Sequence, residues 1–482
     1  MEILDRSSVI FGNQINKKTI KKATKSKNKY VKKFGDDSNK EYHLGLEEIP
    51  SLDFIGAKNL VLSDKPLKLP NNPVVVGNIR MGFGHYRISI ALASCAKALG
   101  YDPIWMDLAS FDATGSKMIR AQNDLYSLAS RISQKSKLFN HFIWEPLNSE
   151  GFRQITYNAV DQKNSELLAP LYHDLPKDVP FVATHVWPSQ GAVHAGLTHV
   201  VNAIPDNWPM ALHLSEGAIH AVQTPFAYLG YKMLNGMNKK PLKGIPESEL
   251  FEVGHYIDHE LVANIEKDVE ARVNRIKKDE PVRILTSVGG AGAGAKSFLE
   301  IVKHLIPYVE KEKVSLYINL GDHLDMFEFL KKKIPSFEKK CVTHFDNYSE
   351  TKEFVEKMSK EVSKGIHVFY HKNIFEAVYS TNLLMRQVEL LITKPSELAF
   401  YPVVKVMMKH IGGHEVYGAI HAQEIGDSTF ECPDKKSMTE MLDRLISDKE
   451  LLIHLNEQIV KLKATGIYDG GYKAVKLAVK GK

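Results

Sequence analysis

Cysteine is almost missing. The chain holds three in 482 residues, Cys95, Cys341 and Cys432, far apart and with no Cys-x-x-Cys pair. That scarcity excludes a disulfide framework or a zinc ribbon and makes a reducing cytoplasm the default. Long apolar runs are absent too: none reaches the roughly 18 residues that a spanning helix requires. The opening residues, Met1-Glu2-Ile3-Leu4-Asp5-Arg6, lack the basic-then-apolar pattern of a secretory signal. The expected location is therefore cytoplasmic, with the inner face of a membrane as a possible docking surface. No short repeat is present, and no low-complexity tract beyond one basic run.

That run lacks acids altogether. Nine lysines lie between Lys17 and Lys33, with no aspartate or glutamate among them. Ile20, Tyr30, Val31 and Phe34 are interspersed. A solvated tail, a segment lying on an anionic membrane and an RNA grip all satisfy this pattern, with nucleic acid ranked last as a partner.

What is present is ordinary for a globular protein. Hydrophobic residues make up 44% and charged residues 25%, and the net charge is +6. The length suggests two to three domains. Residues 1–70 read as an extension ending in the turn-rich stretch Lys68 to Pro73. Val74-Val75-Val76 follows as a β-branched run without polar alternation, which suits a parallel strand covered on both faces. A glycine-bearing loop runs from Gly77 to Gly84. A helix is expected from Tyr86 to Leu99, with Ile88, Leu92, Cys95, Ala96 and Leu99 on one stripe and Gly100 as its stop. Strand 103–106 completes a βαβ unit. Further strands are expected at 181–184, 200–203, 221–223 and 251–253.

After a charged helix and linker at 259–280, a second cycle opens. Strand 283–288 runs into Gly289-Gly290-Ala291-Gly292-Ala293-Gly294, then a helix over 296–309. Strands at 314–319, 366–370, 390–393 and 403–408 follow, and 437–479 is helical. Strands alternating with helices twice over argue for two parallel-sheet domains. The boundaries expected are 1–70 (basic extension), 71–258, 280–455 and a closing helix at 456–482.

Each domain opens with strand, glycine loop, helix. Glycine lets the backbone approach a ligand, and the helix N-terminus offers unpaired N–H groups. Neither loop carries the Gly-Lys-Ser/Thr of a P-loop or a clean dinucleotide fingerprint, so a dinucleotide enzyme ranks second. His85 sits at the mouth of the first loop and the start of a helix. That position suits a neutral imidazole acting as base, and it equally suits a capping or packing residue.

Gly82-Phe83-Gly84-His85-Tyr86-Arg87, followed by an alanine-rich helix, resembles the opening of a glycosyltransferase group. That group comprises the monogalactosyldiacylglycerol synthases, diacylglycerol glucosyltransferases and lipid II N-acetylglucosaminyltransferase. In chain order, Thr184-His185-Val186-Trp187-Pro188, Val253-Gly254-His255-Tyr256-Ile257, Ser287-Val288-Gly289-Gly290, Leu391-Ile392-Thr393-Lys394-Pro395 and Gln423-Glu424-Ile425-Gly426-Asp427 resemble the group's later motifs. The stretch Thr393 to Glu397 is compressed relative to the group.

The resemblance implies the GT-B fold, two Rossmann-like domains facing across a cleft, and an inverting glycosyltransferase. Its donor would be a nucleotide sugar, with UDP the expected carrier, and its acceptor a lipid or other hydroxyl compound. It implies His85 as catalytic base, with Gly82, Gly84, Arg87 and His185 on the acceptor side. It implies Gly289, Gly290, Asn373, Ile374, Thr393, Lys394, Ser396, Glu397, Gln423 and Glu424 on the donor side. No metal and no cofactor is required by that scheme: helix dipoles and backbone N–H groups can stabilise a leaving diphosphate, and no Asp-x-Asp is present. His410 and His414, separated by Gly412-Gly413, read as loop residues. A nucleotide-sugar epimerase or other GT-B-like enzyme, and a binding protein that keeps the fold without the chemistry, remain as alternatives.

Overall fold

The computed structural model describes residues 3–80, 82–135, 150–288 and 294–481. A two-stranded hairpin, β1 (Val9–Ile10) with β2 (Asn13–Gln14), precedes helix α1 (Lys17–Phe34). The first domain is an eight-stranded sheet. Its strands are β3 (Leu44–Glu48), β4 (Lys58–Leu62), β5 (Pro73–Asn78), β6 (Asp102–Asp107), β7 (Phe181–Ala183), β8 (Val200–Ala203), β9 (Ile219–Val222) and β10 (Leu250–Glu252). They lie in the order β10-β9-β8-β7-β5-β6-β4-β3. Every pairing is parallel except β3 with β4.

The second domain is an all-parallel sheet of β11 (Val282–Ser287), β12 (Val314–Asn319), β13 (Cys341–Phe345), β14 (Gly365–Tyr370), β15 (Leu390–Thr393), β16 (Val404–Met408) and β17 (Ser428–Cys432). Its order is β13-β14-β12-β11-β15-β16-β17. Val74, Val75 and Val76 are wholly buried, as a strand sandwiched between helix layers must be.

The N-terminal region departs from the reading as an extension with a solvated tail. β3 and β4 extend the first sheet at its edge. α1 is a packed helix. Asn16 caps it by accepting from the Thr19 N–H at 2.9 Å. Its apolar side holds buried Ala23, with Tyr30 and Val31 against the domain core, and it lies on the helix Ile155–Ser165. Lys27 turns inward and pairs with Glu166 at 2.6 Å. The other eight lysines of the run stay exposed.

Helix α2 (Phe83–Ala98) also departs from expectation. Its residues Tyr86 to Ala96 are all buried, not a single stripe, because three neighbours cover it. It rests on β5 and β6, and is flanked by the helices Ile374–Met385 and Gly470–Lys480. The second of these, the last helix of the chain, crosses back onto the first domain and also touches β7 and β8.

Candidate active site

In open α/β sheets, ligands bind beyond the carboxyl ends of the strands where the strand order reverses. The first sheet reverses between β5 and β7, and the second between β11 and β15. The loop leaving β5 meets the loops leaving β12 and β15 across the domain boundary. Arg80 Nη2 lies 2.6 Å from Asp322 Oδ2, and the Phe83 ring packs on Gly321 and beside His323. Gly82, at φ +95°, starts α2 in a conformation that side chains resist. A Cβ on Gly84 would lie 3.0 Å from Glu397 Oε2. The glycine thus admits the carboxylate of the facing domain.

His85 stands on the first turn of α2, half-buried. Its Nδ1 is 2.7 Å from the Thr184 carbonyl oxygen. A carbonyl only accepts, so Nδ1 carries the hydrogen and Nε2 keeps a bare lone pair. Burial pushes the imidazole below its ordinary pKa, outweighing the Thr184 bond and the acidic neighbours Asp206 and Glu397. The group is therefore neutral at pH 7, with a fixed tautomer. His185 packs edge-on against it, ring centres 4.9 Å apart. His185 caps the helix Val186–His194, its Nδ1 accepting from the Trp187 N–H at 3.1 Å. Burial, followed by its neighbours His85 and His213, holds its pKa well down.

Two residues that the motifs did not single out complete this wall. His213 Nε2 lies 3.0 Å from Asp206 Oδ2. Burial works against the charge on Asp206, but the bond and positive field of His213, with His414 and His85, hold its carboxyl well below the usual range. Both residues follow β8 along the chain. No short motif marks them; only the convergence of loops after β5, β7 and β8 does.

The opposing wall belongs to the second domain. Thr393 ends β15, and its hydroxyl donates to the Lys394 carbonyl at 3.0 Å. Lys394 Nζ pairs with Glu415 Oε1 at 2.7 Å. Glu415 also accepts from the Ile411 and Gly412 N–H groups at 2.8 and 3.3 Å. Burial opposes its charge, and Lys394 more than compensates, so its pKa is lowered. Ser396 leads into the short turn Glu397–Phe400. Beside Lys394 opens a cavity of about 240 Å³. Its apolar lining includes Phe298, Ile301, Met326 and Met438, and its polar rim Ser287, Lys409 and Asp434.

Thus His85, His185, Gly82, Gly84, Thr393, Lys394, Ser396 and Glu397 come together at the opposed switch points. Gly289 and Gly290 lie outside the described residues. Arg87 is displaced from the acceptor role. It is 1% exposed and reaches into the second domain, donating to the Val378 carbonyl at 3.2 Å and to Asn382 Oδ1, with Glu397 Oε1 at 3.6 Å. It is a strut between domains. Asn373 and Ile374 follow β14, two strands from the switch point. There Asn373 caps a helix by accepting from the Phe375 N–H at 2.9 Å, and Ile374 packs into the seam between domains. Gln423 and Glu424 end the helix Val416–Ile425, about 12 Å along its axis from Glu415. The acid that does meet Lys394 is Glu415, a residue the motif reading passed over.

Two Rossmann-like domains with opposed switch points define an α/β protein of GT-B architecture. Residues 9–233 match the model of one family, described as a domain of unknown function (DUF6937). Residues 245–479 match a second, likewise a domain of unknown function (DUF6938). No curated protein matches the chain. Among solved structures, UDP-GlcNAc 2-epimerase from Neisseria meningitidis bound to UDP-GlcNAc is similar at 12% identity and a TM-score of 0.46, over 85% of this chain and 100% of that one. An α,α-trehalose-phosphate synthase (UDP-forming) from Burkholderia vietnamiensis is similar at 10% identity and a TM-score of 0.45, over 85% and 98%. The spinosyn rhamnosyltransferase SpnG complexed with thymidine diphosphate is similar at 12% identity and a TM-score of 0.29, over 85% and 96%.

Proposed function

We propose that this chain is an inverting glycosyltransferase that moves a sugar from a nucleotide sugar, UDP-linked, to a hydroxyl acceptor. The observation that carries the reading is His85. It is a neutral imidazole with its Nδ1–H anchored on Thr184 and its Nε2 lone pair uncommitted among the described residues. Glu397 of the opposite domain lies within its electrostatic reach. In this scheme Nε2 takes the acceptor's hydroxyl proton. The oxygen bonds to the anomeric carbon, and the bond from that carbon to the donor diphosphate breaks, its electron pair leaving with the diphosphate. The cavity beside Lys394 is smaller than the roughly 300–1,000 Å³ of a whole-ligand pocket, so it suits one end of the donor, the base and ribose. In this scheme Lys394, paired with Glu415, would turn its charge to the diphosphate.

A membrane-bound acceptor belongs to the same proposal. Eight lysines of α1 point to solvent. On the neighbouring helix Thr114–Lys135, Leu125, Leu128 and Ile132 are exposed at helical spacing. Lysines would meet anionic headgroups at about 1 kcal/mol each. Among the described residues, no helix is long and apolar enough to cross a membrane.

Epimerisation of a nucleotide sugar is the second reading. The Asp206–His213 pair favours it, because it gives the His85 wall another acid–base group without a second substrate. The deciding experiment incubates the chain with UDP-hexoses in deuterated water, with and without anionic vesicles holding diacylglycerol. A glycolipid product with UDP release supports transfer. Deuterium at a sugar carbon with no UDP release supports epimerisation. Neither product, and no calorimetric binding of UDP or UDP-sugars, sinks both.

A further inference from the structure

A cluster well outside the cleft has the chemistry of a metal site. His43, just ahead of β3, and His173-Asp174, just ahead of β7's approach loop, converge on the outside of the first domain. His173 Nδ1 lies 3.0 Å from Asp174 Oδ1, and His43 Nδ1 lies 3.2 Å from that same oxygen and 3.3 Å from Oδ2. Asp174 Oδ2 accepts from the Leu44 N–H at 2.9 Å, which fixes the carboxylate. The two imidazole nitrogens and the carboxylate oxygen all lie within 4.8 Å of one another.

Zinc bonds nitrogen and oxygen at about 2.0–2.2 Å, so donor atoms on a tetrahedral ion sit about 3.4 Å apart. The nitrogen-to-oxygen separations here are already near that value. The two nitrogens lie within 4.8 Å of each other, on side chains that are 52% and 29% exposed. A carboxylate also stands on the other side of the His173 ring, beyond hydrogen-bond distance. The far nitrogen of His173, Nε2, lies 3.6 Å from Glu41 Oε1. A ligating histidine characteristically turns its other N–H to a carboxylate, which fixes the tautomer that leaves Nδ1 bare for the metal.

We infer that His43, His173 and Asp174 bind one zinc-like divalent ion, with water in the fourth position and Glu41 orienting His173. The ion fastens the edge strand β3 to the body of the first domain. It has no part in the chemistry proposed for the cleft.

The test uses the full chain without a purification tag, stripped with chelator and titrated with zinc chloride by calorimetry, and separately with cobalt(II) for its visible spectrum. One zinc per chain is expected, with a tetrahedral cobalt spectrum and protection of the 36–43 segment from limited proteolysis. His43→Ala and His173→Ala should each weaken zinc at least tenfold and abolish the cobalt spectrum, while Glu41→Gln should weaken it less. His85→Ala, which alters the histidine cluster of the cleft, should leave the stoichiometry and affinity unchanged. Failure of the intact chain to take up zinc overturns the inference. So does uptake that survives the His43→Ala/His173→Ala double variant, or that is lost with His85→Ala.

Discussion

Replacing His85 by asparagine separates a base from a packing residue. Asparagine keeps an N–H donor for the Thr184 carbonyl, now held by His85 Nδ1 at 2.7 Å, and removes the Nε2 lone pair. The stability cost should therefore be small. Even His85→Ala gives up one neutral hydrogen bond, about 0.5–1.5 kcal/mol, and the edge-on contact with His185, about 0.5–1.5 kcal/mol. That is about 1–3 kcal/mol together, and the asparagine variant should lose less. A lost general base costs about 10²–10⁴ in rate. The assay is initial-rate UDP release from the preferred UDP-hexose, alongside the melting temperature and the calorimetric affinity for UDP. A hundredfold or greater fall in kcat, with UDP affinity within threefold of the parent, is expected. The pH profile adds a check. Because burial lowers the His85 pKa, the neutral base persists below the ordinary imidazole value near 6.5, and the acid limb of kcat/KM should fall below that pH. A His85→Asn enzyme within threefold of the parent rate would refute the base assignment.

Stability should also fall with acid. Burial holds His367 and His371 at a pKa of about 4. The same cause, followed by Lys405, holds His421 at about 4. Unfolded imidazoles protonate near 6.5, so between pH 6.5 and 4 the unfolded state binds the extra protons. Stability then drops as pH falls, by up to about 1.4 kcal/mol per pH unit and group, less for the partly exposed His421. Urea midpoints across that range check the slope, and a flat profile contradicts it. Lys405 and Asp427 are both wholly buried and 2.6 Å apart. Lys405→Met should cost about 3–5 kcal/mol by stranding Asp427, while Lys405→Met with Asp427→Leu should recover most of that. Changing Lys17, Lys18, Lys21 and Lys22 to glutamine should cut partition onto anionic vesicles by a hundredfold or more, at about 1 kcal/mol each. It should leave the melting temperature nearly unchanged, because all four are exposed. Equal partition of parent and variant removes α1 from the membrane proposal.

The sequence by itself determined the double cycle of strand, loop and helix, because central strands are unbroken apolar runs. Strands 200–203, 314–319 and 390–393 fall where the β-branched and aliphatic runs place them. Four strands at or next to the sheet edges escaped it. Leu44–Glu48 and Lys58–Leu62 are short and half-exposed, and Cys341–Phe345 and Ser428–Cys432 mix polar with apolar residues. Such segments are strands only because a neighbour supplies the ladder. The lysine run gave no sign of a packed helix, since like charges at i, i+4 oppose one. Its stability rests on Ala23, Tyr30 and Lys27 meeting the helix Ile155–Ser165. His85, Lys394 and Glu397 drew attention in the sequence because their motifs directly follow β5 and β15, strands that flank the switch points of the two sheets. Asp206, His213 and Glu415 were not, because each acts through a partner brought to it by the chain's return. Arg87 reads as a site residue beside His85, yet the helix turn carries it to the far side of α2. One hundred degrees of rotation per residue decides which of two neighbours faces the cleft and which holds the domains together.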